Sequence, residues 1–360
     1  MKLTAAALAA GERIAWPDPL LRIAIGMLVG RTHRRLSGED DFAERQFAGR
    51  MDDYPIAINT REANEQHYEV PPAFFALMLG PQRKYSCCYY DEPGATLAQA
   101  EERALVETAE HAGLADGQRI LELGCGWGSL SLWMARRYPA ARVISVTNSL
   151  AQRAYVNGRA ERDGLRNLTV VTADINDFAP PGNFDRVISV EMFEHMSNWR
   201  SLLKRVISWI QPDGTLFIHV FSHRSRPYRF DVTNLADWIA QHFFTGGIMP
   251  SHGLIRQFAD IVDVEREWWW DGTHYKRTAN DWSVNFDRNG GEIDRVLRKF
   301  YGEDAALWRR RWRLFLLATG GLFGYDDGKE WGVSHYRLRP VRCFLRQSLR
   351  STKKHSAVPT

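Results

Sequence analysis

The stretch that decides the fold reads LELGCGWG and occupies positions 121–128. It begins with residues typical of a buried strand and ends with three glycines, Gly124, Gly126 and Gly128. Glycines at this point let the main chain turn tightly and let a ligand approach the backbone closely. A strand that leads directly into such a loop, with a helix after it, is typical of the first unit of a nucleotide-binding α/β fold.

Segments of alternating strand and helix character surround this loop. Apolar runs of strand length occupy 119–123, 141–146, 168–172, 184–190 and 214–221, and helical patterns occupy 129–137 and 150–163. Short buried strands separated by helices predict a parallel sheet with right-handed crossovers. We therefore predict an α/β fold built on a doubly wound, mostly parallel sheet.

Aromatic side chains are abundant in the part of the chain after this predicted sheet. Residues 223–325 are predicted to form helices and loops, and only 333–338 carries a further strand signal. Eight of the thirteen tryptophans lie from Trp238 onward. Most such rings fill a core, whereas a few around a substrate cavity would attract a cationic sulfonium or ammonium through their faces.

Composition limits the class of protein and its partners. The 360 residues are 44% hydrophobic and 25% charged, which excludes a disordered or fibrous chain. The 47 basic and 43 acidic residues give a net charge of +4, which is too balanced to indicate nucleic-acid binding. The 4 cysteines match neither a disulfide framework nor the spacing of a zinc site. We expect a cytoplasmic protein with no metal and no nucleic-acid partner.

The terminal parts of the chain suggest no membrane anchor. Residues 1–10 resemble a signal peptide weakly and are predicted to form a helix instead. The apolar run at 20–30 is about half as long as a membrane span and contains Arg22. Basic residues cluster at 31–35, and 342–360 contains no acidic residue. These basic segments are either simply solvated or make at most peripheral contact with an anionic membrane.

The spacing of the glycines and the ends of the next strands indicate the cofactor. Dinucleotide enzymes space the glycines G-x-G-x-x-G and usually place an acid after the second strand. This chain has G-x-G-x-G and reads VTNS at 146–149, but Asp174 follows the third strand, where a carboxylate can accept from an adenine amino group. The combination favours S-adenosylmethionine. The alternative is a glycine turn that only packs a helix on the sheet.

Several separated motifs resemble the cyclopropane-fatty-acid synthase superfamily of S-adenosylmethionine-dependent methyltransferases. They are NEQHYEVP at 64–71, KYSCCY at 84–89, the glycine loop, and EMFEHM at 191–196. The resemblance implies a class I methyltransferase fold, Rossmann-like, with a lid over the cofactor. The cofactor-binding residues that it implies are Tyr85, Ser86, Gly124, Gly126, Asn148, Gln152, Asp174 and Ile175.

Within this superfamily the chain looks most like the coclaurine N-methyltransferase branch. Lipid-modifying members usually carry a small residue where this chain has Glu191, before the same Phe-Glu-His. The motifs FFTGGIMP at 243–250 and LFGYDDGKEW at 322–331 also look like the amine branch. Other features resemble cyclopropane synthases, which hold a bicarbonate base near the positions of Cys87, Glu194, His219 and Tyr275.

Glu191, Glu194 and His195 are the candidate catalytic residues. An aliphatic amine has a pKa of roughly 10 and must lose a proton before its nitrogen can attack a methyl group, and a positioned base can take that proton. If this segment is helical, the three side chains share one face, and two neighbouring carboxylates would raise the pKa of one of them. The alternative is a cluster that caps a helix or ties down the lid.

The remaining candidates concern the methyl acceptor. His219 and Tyr275 are expected either to contact the substrate or to lie directly behind it. Phe323 and Trp331 are expected to line the substrate cavity, because the resemblance to the amine branch is strongest there. Cys87, with its neighbour Cys88, is expected to pack the lid and not to act as a nucleophile.

The sequence thus predicts an S-adenosylmethionine-dependent methyltransferase for the nitrogen of a small, aromatic or alkaloid-like amine, with Glu194 and His195 as general base. The alternative is methylation or cyclopropanation of unsaturated acyl chains in lipid biosynthesis, and an inactive binding module is a third hypothesis. A homodimer is left open. The expected parts are a helical extension (1–60), lid helices (61–112), the Rossmann-like core (113–222), an aromatic cap with the final strand (223–345) and a basic, flexible tail (346–360).

Overall fold

The computed structural model describes residues 11–38, 42–58, 70–234 and 237–341. The helix predicted for 1–10, most of the motif at 64–71 and the basic tail from 342 onward lie outside the described residues. The five expected parts of the chain therefore stay predictions.

A seven-stranded sheet forms the centre of the molecule. In chain order, the strands of the described residues, including two short ones outside this sheet, are β1 (Arg119–Leu123), β2 (Arg142–Thr147), β3 (Leu168–Thr172), β4 (Phe184–Val190), β5 (Ile210–His223), β6 (Tyr228–Arg229), β7 (Ile248–Met249), β8 (Val262–Asp271) and β9 (Trp331–Pro340). Their order in the sheet is β3-β2-β1-β4-β5-β9-β8, and β6 pairs with β7 separately. Strands β1 to β5 run parallel, and β9 runs antiparallel to both of its neighbours, β5 and β8. The predicted doubly wound, mostly parallel sheet is confirmed.

Helices cover both faces of this sheet and build a cap beside it. They are α1 (Asp18–Leu36), α2 (Ala43–Met51), α3 (Pro72–Met78), α4 (Leu97–Ala112), α5 (Ser129–Arg137), α6 (Leu150–Arg162), α7 (Trp199–Ser208), α8 (Trp238–His242), α9 (Gly272–Arg288), α10 (Gly290–Tyr301) and α11 (Ala305–Phe323). A 3-10 turn at Phe193–His195 follows β4. The helices predicted at 129–137 and 150–163 correspond closely to α5 and α6.

The side chains of β1 explain why the sheet is buried on both faces. Successive residues of a strand point to opposite faces, so an apolar run serves two cores. Leu121 and Leu123 belong to the core that contains Trp199, whereas Ile120 belongs to the core that contains Trp133. Because β1, β2 and β4 are parallel, their carboxyl ends meet at one edge, where open α/β sheets bind ligands.

The cap is an aromatic core that joins α1 to the helices after β8. Phe74 and Trp312 lie 4.7 Å apart between ring centroids, and Ile25 of α1 belongs to the same core. A Cβ atom on Gly321 would lie 2.5 Å from the side chain of Ile25, so this glycine lets α1 and α11 approach closely. The amino-terminal helix α1 is thus packed into the cap.

The expectation that 223–325 contains no strand is wrong, because β6, β7 and β8 lie within it, and β8 is the longest of the three. This strand reads VDVEREWWWD, so charges interrupt its apolar pattern. Among the described residues it is an edge strand, which pairs with β9 on one side and has no strand on the other. An antiparallel edge strand does not need the continuous apolar run by which the parallel strands are recognised.

The length and hydropathy of the described helices bear on membrane spanning. None of them is both long and apolar enough to cross a bilayer.

Candidate active site

The glycine loop after β1 has the geometry that the sequence predicted. Gly124 and Gly128 have φ angles of +82° and +76°, in the left-handed region that other residues rarely adopt. A Cβ atom on Gly124 would lie 2.9 Å from that of Met192, and one on Gly128 would lie 2.6 Å from Val156. The loop therefore needs glycine both for its conformation and for its space.

Glu122 anchors this loop from inside the sheet. The side chain is buried, and its Oε2 accepts hydrogen bonds from the hydroxyls of Ser131 and Ser145, the latter at 2.7 Å. Burial raises the pKa of Glu122, and the two serines offset part of that effect. The carboxyl group thus ties β1, β2 and the start of α5 together beneath the glycines.

A cavity lies over the glycine loop, and all eight predicted cofactor residues line it. They are Tyr85, Ser86, Gly124, Gly126, Asn148, Gln152, Asp174 and Ile175. The side chain of Gln152 accepts from Thr147 Oγ1 at 2.6 Å, while its buried Nε2 has no hydrogen-bond partner among the described residues. A buried donor without a partner is costly and marks a place for a ligand acceptor. These residues fit an adenosyl group with a methionine tail, and their individual contacts to the cofactor stay a prediction.

The segment after β4 is not helical at Glu191, which corrects the helical-face argument. Glu191 has φ +46°, so the backbone reverses at this residue before the 3-10 turn begins. The three candidates nevertheless converge in space, because all of them line a second, larger cavity. The left-handed backbone brings them together instead of a helical repeat.

Glu191 is the centre of a hydrogen-bonded cluster. Its Oε1 accepts from the Cys87 amide at 2.8 Å and lies 3.2 Å from His219 Nε2, while its Oε2 accepts from the Tyr275 hydroxyl at 2.7 Å. Burial raises the pKa of Glu191, although the nearby Lys84, the amide and the hydroxyl counter this effect. The sequence motifs thus join β4, β5, α9 and the segment that contains Cys87 around one carboxylate.

Glu194 is buried without compensation. The residue has no solvent exposure, and neither carboxyl oxygen has a hydrogen-bond partner among the described residues. Burial, and next to it the negative charge of Glu191, raise the pKa of Glu194 well above its ordinary value. Such a carboxyl group holds its proton tightly until a cation enters the cavity and favours the ionised form.

His195 lies between the two cavities and lines both. Its ring packs on Phe244 at 4.4 Å between centroids. Burial lowers the pKa of His195 to about 4, so the imidazole is neutral at pH 7. A neutral ring at this position can accept a hydrogen bond from a substrate.

The larger cavity has a volume of about 1580 Å³ and walls from α1, α11 and the loops after β5. Tyr275 and Phe323 line it, with their rings stacked 4.4 Å apart. His219 does not line it but lies behind Glu191. Trp331, expected to line the cavity, does not reach it. Its ring is buried between His223 and Tyr325, at 5.0 Å and 5.8 Å between centroids, because β9 directs it into the cap core.

Sequence reasoning missed several residues at this site. No residue of the predicted helical extension was named as a candidate, yet Ile25, Val29 and Arg35 of α1 line the larger cavity. Lys84 is a further residue that was not predicted for the site. Its buried Nζ donates to Ser86 Oγ at 2.5 Å and to the Cys87 carbonyl at 2.6 Å. A lysine beside the lid tyrosine was the available signal.

The described cysteines are buried thiols, and the described residues offer no metal site. Cys87, Cys88 and Cys125 are free and buried, and burial raises the pKa of each thiol. Cys343 lies outside the described residues. Within 11–38, 42–58, 70–234 and 237–341, no cluster of three or more His, Cys, Asp or Glu side chains is arranged to hold a metal ion.

Comparison with known proteins places the chain in a family. The family described as "Mycolic acid cyclopropane synthetase" matches residues 57–327. The chain is 35% identical to (S)-coclaurine N-methyltransferase of Thalictrum flavum subsp. glaucum over 78% of this chain and 79% of that protein. It is 30% identical to cyclopropane-fatty-acyl-phospholipid synthase of Escherichia coli (strain K12), over 75% of this chain and 66% of that protein.

Solved structures agree with these sequence relationships. Coclaurine N-methyltransferase bound to N-methylheliamine and SAH has a TM-score of 0.87 and 32% identity, and the match covers 90% of this chain and 96% of that one. A cyclopropane synthase of Mycobacterium tuberculosis has a TM-score of 0.64 at 23% identity, with 78% and 98% coverage, and shows the shared fold. The chain belongs to the mycolic acid cyclopropane synthetase family and is an S-adenosylmethionine-dependent methyltransferase with the class I fold.

Proposed function

We propose that the protein transfers the methyl group of S-adenosylmethionine to the nitrogen of a small, aromatic or alkaloid-like amine. The observation that carries this proposal is the position of the Glu191 carboxylate among Cys87, His219 and Tyr275. In cyclopropane synthases, which this chain resembles, residues at these positions hold a bicarbonate base. Here the side chain of Glu191 supplies a carboxylate at that place.

The two cavities share a wall at which the reaction would take place. Tyr85, Glu191 and His195 line both the cavity over the glycine loop and the larger cavity. S-adenosylmethionine supplies an electrophilic methyl group on sulfur. An acceptor nitrogen held at this wall would be oriented toward that methyl group, and such positioning supplies much of the rate in a displacement.

The carboxyl groups suit an acceptor that arrives as an ammonium ion. Holding an amine of pKa about 10 neutral at pH 7 costs roughly 4 kcal/mol. A carboxyl group with a raised pKa makes the proton transfer less unfavourable, and Glu194 and Glu191 both have that property. His195, with its pKa lowered to about 4, is suited to accept a hydrogen bond from the nitrogen and is the weaker base. We therefore assign the proton to the glutamates and orientation to His195.

Aromatic rings favour the same class of substrate. Tyr275, Phe323, Phe244 and Trp282 line the larger cavity near the carboxyl groups. Ring faces attract ammonium and sulfonium cations, and they also stack on an aromatic acceptor. The coclaurine and pavine N-methyltransferases among the relatives support this assignment, because their names describe methylation of amines.

The size of the larger cavity favours a second candidate function. A volume of about 1580 Å³ exceeds what a small amine requires, and the lining includes the arginines Arg31, Arg35, Arg229, Arg309, Arg310 and Arg313 beside acids such as Glu12, Asp18, Asp231 and Asp237. An apolar cavity beside basic side chains also suits an acyl chain with an anionic headgroup. Methylation or cyclopropanation of unsaturated lipids is therefore the second candidate.

One experiment separates the two candidates. The protein is incubated with S-adenosylmethionine labelled in the methyl group, in parallel with a pool of benzylic and isoquinoline amines and with vesicles of unsaturated phospholipid. Label in the amine extract supports the proposal. Label only in the lipid extract would replace it with the second candidate. An Asp174→Ala variant serves as the control, because its weaker cofactor binding should lower the label in either extract when S-adenosylmethionine is below saturation.

A further inference from the structure

A file of three histidines connects the active-site carboxylate to the protein surface. His219 Nε2 lies 3.2 Å from Glu191 Oε1, and His219 Nδ1 lies 2.8 Å from His335 Nε2. His335 Nδ1 lies 2.8 Å from His111 Nδ1, and His111 Nε2 lies 3.3 Å from Glu107 Oε2. Every ring therefore uses one nitrogen toward the active site and the other toward the surface.

The path runs from a dry interior to the solvent boundary. His219 and His335 have no solvent exposure, whereas the side chains of His111 and Glu107 are 12% and 13% exposed. Aromatic rings enclose the file. Trp270 lies 4.2 Å from His335 between centroids, and Trp268 stacks on His111 at 3.9 Å. Rings of this size keep water away from the sides of the path.

Counting protons shows that the file can exist in two states. Its four links each need one shared proton, and three neutral imidazoles carry only three. The fourth proton therefore resides on Glu191 or on Glu107. If Glu191 gives its proton to His219, each ring passes its own proton outward and Glu107 receives one at the end. All bonds to hydrogen balance in this transfer. It leaves each ring in its other tautomer, so each ring must turn and regain its first tautomer before the next proton can follow.

Burial, together with nearby cations, keeps the rings neutral, as such a relay requires. Burial is the main cause that lowers the pKa of each ring, to about 4 for His111 and well below the ordinary value for His219 and His335. The cations that act on the file are Lys84 from the lid segment, Arg337 from β9 and Arg103 from α4. The carboxyl groups at the two ends are Glu191, inside, and Glu107, paired with Arg103, outside, and one of the two carries the fourth proton.

We propose that His219, His335, His111 and Glu107 form an exit path for the proton that the active site must release in each turnover. This inference rests on the proposed amine methylation. There the N–H bond of an ammonium breaks, the new N–CH₃ bond forms, and the sulfur keeps the electron pair of the broken S–CH₃ bond. One proton per turnover is left on the active-site carboxyl groups, and the file carries it to solvent. The three rings are positioning and relay residues, since none of them lines the substrate cavity.

The test uses His111→Gln and His335→Gln in the full chain, with an amine that the wild-type protein methylates. A glutamine keeps a hydrogen bond but cannot pass a proton from one side to the other. We expect kcat to fall about tenfold or more in both variants, with little change in KM, since a proton transfer contributes about 10²–10⁴-fold when it limits the rate. Added imidazole should restore the His111→Gln variant, whose gap lies near the surface, and should leave the wild-type rate unchanged. His252→Gln is the matched control, because His252 is another partly buried histidine beside the sheet and bonds to Ser334, outside the file.

A second measurement does not depend on turnover. With ¹⁵N-labelled histidine, exchange of the buried His219 ring proton with deuterium should be at least about tenfold slower in His111→Gln than in the wild type. If no amine is methylated, the proposed function fails, and this exchange rate still decides whether the relay exists. Equal exchange rates, or wild-type kcat in both relay variants without any effect of imidazole, would overturn the relay.

Discussion

The hydroxyl of Tyr275 donates a hydrogen bond to the carboxylate of Glu191 at 2.7 Å, across 84 positions of the sequence. The contact joins the cap helix α9 to the end of β4, so the substrate cap and the sheet edge meet at one carboxyl group. Its negative charge and burial raise the pKa of the Tyr275 hydroxyl well above its ordinary value, with burial the larger cause. Tyr275 therefore acts as a hydrogen-bond donor that holds Glu191 in place beside the acceptor cavity.

The first prediction concerns Glu194 and His195. Glu194→Gln and His195→Ala should each lower turnover of an amine, by about 10²–10⁴-fold for the glutamate that takes the proton. Cofactor affinity should stay near the wild-type value, because the predicted adenosine contacts are elsewhere. Steady-state kinetics and calorimetric titration with S-adenosylmethionine measure the two quantities. A Glu194→Gln variant with full turnover would show that this carboxyl group is not the base.

The second prediction concerns the adenine end of the cofactor cavity. Asp174→Ala should weaken cofactor binding by about 1.5–3 kcal/mol, the usual value of a hydrogen bond to a charged acceptor. Asp177→Ala is the matched control, since Asp177 is exposed three residues further on and does not line the cavity. Calorimetric titration gives both affinities. Equal affinities in the two variants would remove Asp174 from the site.

The third prediction concerns the glycine loop. Gly124→Ala should destabilise the loop by about 1–3 kcal/mol, because its φ of +82° and the side chain of Met192 both oppose a Cβ atom. Cofactor binding should be lost in parallel. Gly158→Ala is the control, since a Cβ atom there meets nothing within 4 Å and the residue lies inside α6. Thermal unfolding with and without cofactor measures the effect, and a Gly124→Ala protein as stable as the control would contradict it.

The fourth prediction concerns stability against pH. The pKa of His111 is about 4 in the folded protein and 6.5 ordinarily, so the unfolded chain binds the proton more readily. The contribution of the neutral His111 ring to the free energy of unfolding is therefore complete above about pH 6.5 and is lost as the pH falls toward 4. Because Glu101, with its pKa raised by burial to about 7, acts in the opposite direction, the comparison must be made between variants. The difference in unfolding free energy between the wild type and His111→Gln should shrink from pH 7 to pH 5, and a constant difference would show that the ring does not titrate as stated.

The sheet and the cofactor loop could be predicted because their signals are local. Each parallel strand is a short apolar run, and Gly124 marks a backbone that few other residues adopt. Strand β8 could not be recognised because its stability comes from pairing with β9, which lies far away in sequence. The approach of α1 to the cavity depends on Gly321 meeting Ile25 across the cap, and no local pattern contains that contact.

The candidate site likewise has parts that local sequence reveals and parts that depend on contacts between distant segments. Glu191, Glu194 and His195 are recognisable as a motif, but their convergence comes from the left-handed backbone of Glu191 and not from a helix. The links from His219 to His335 and from His335 to His111 join β5, β9 and α4, so only the assembled sheet reveals them. Trp331 shows that a recognisable motif does not fix the position of a side chain. Its motif resembles the amine branch, but its ring lies in the cap core.

The claim that the Glu191 carboxylate takes the place of a bound bicarbonate can be tested most directly with Glu191→Gly. Glycine tolerates the φ of +46° at this position, so the backbone should be kept, while the Cys87 amide, His219 and Tyr275 lose their shared acceptor. Amine methylation by the variant should fall by about 10²-fold or more and should recover in part when bicarbonate is added. The wild-type rate should not respond to bicarbonate. Full activity of Glu191→Gly without bicarbonate, or a wild-type enzyme that itself requires bicarbonate, would contradict the account.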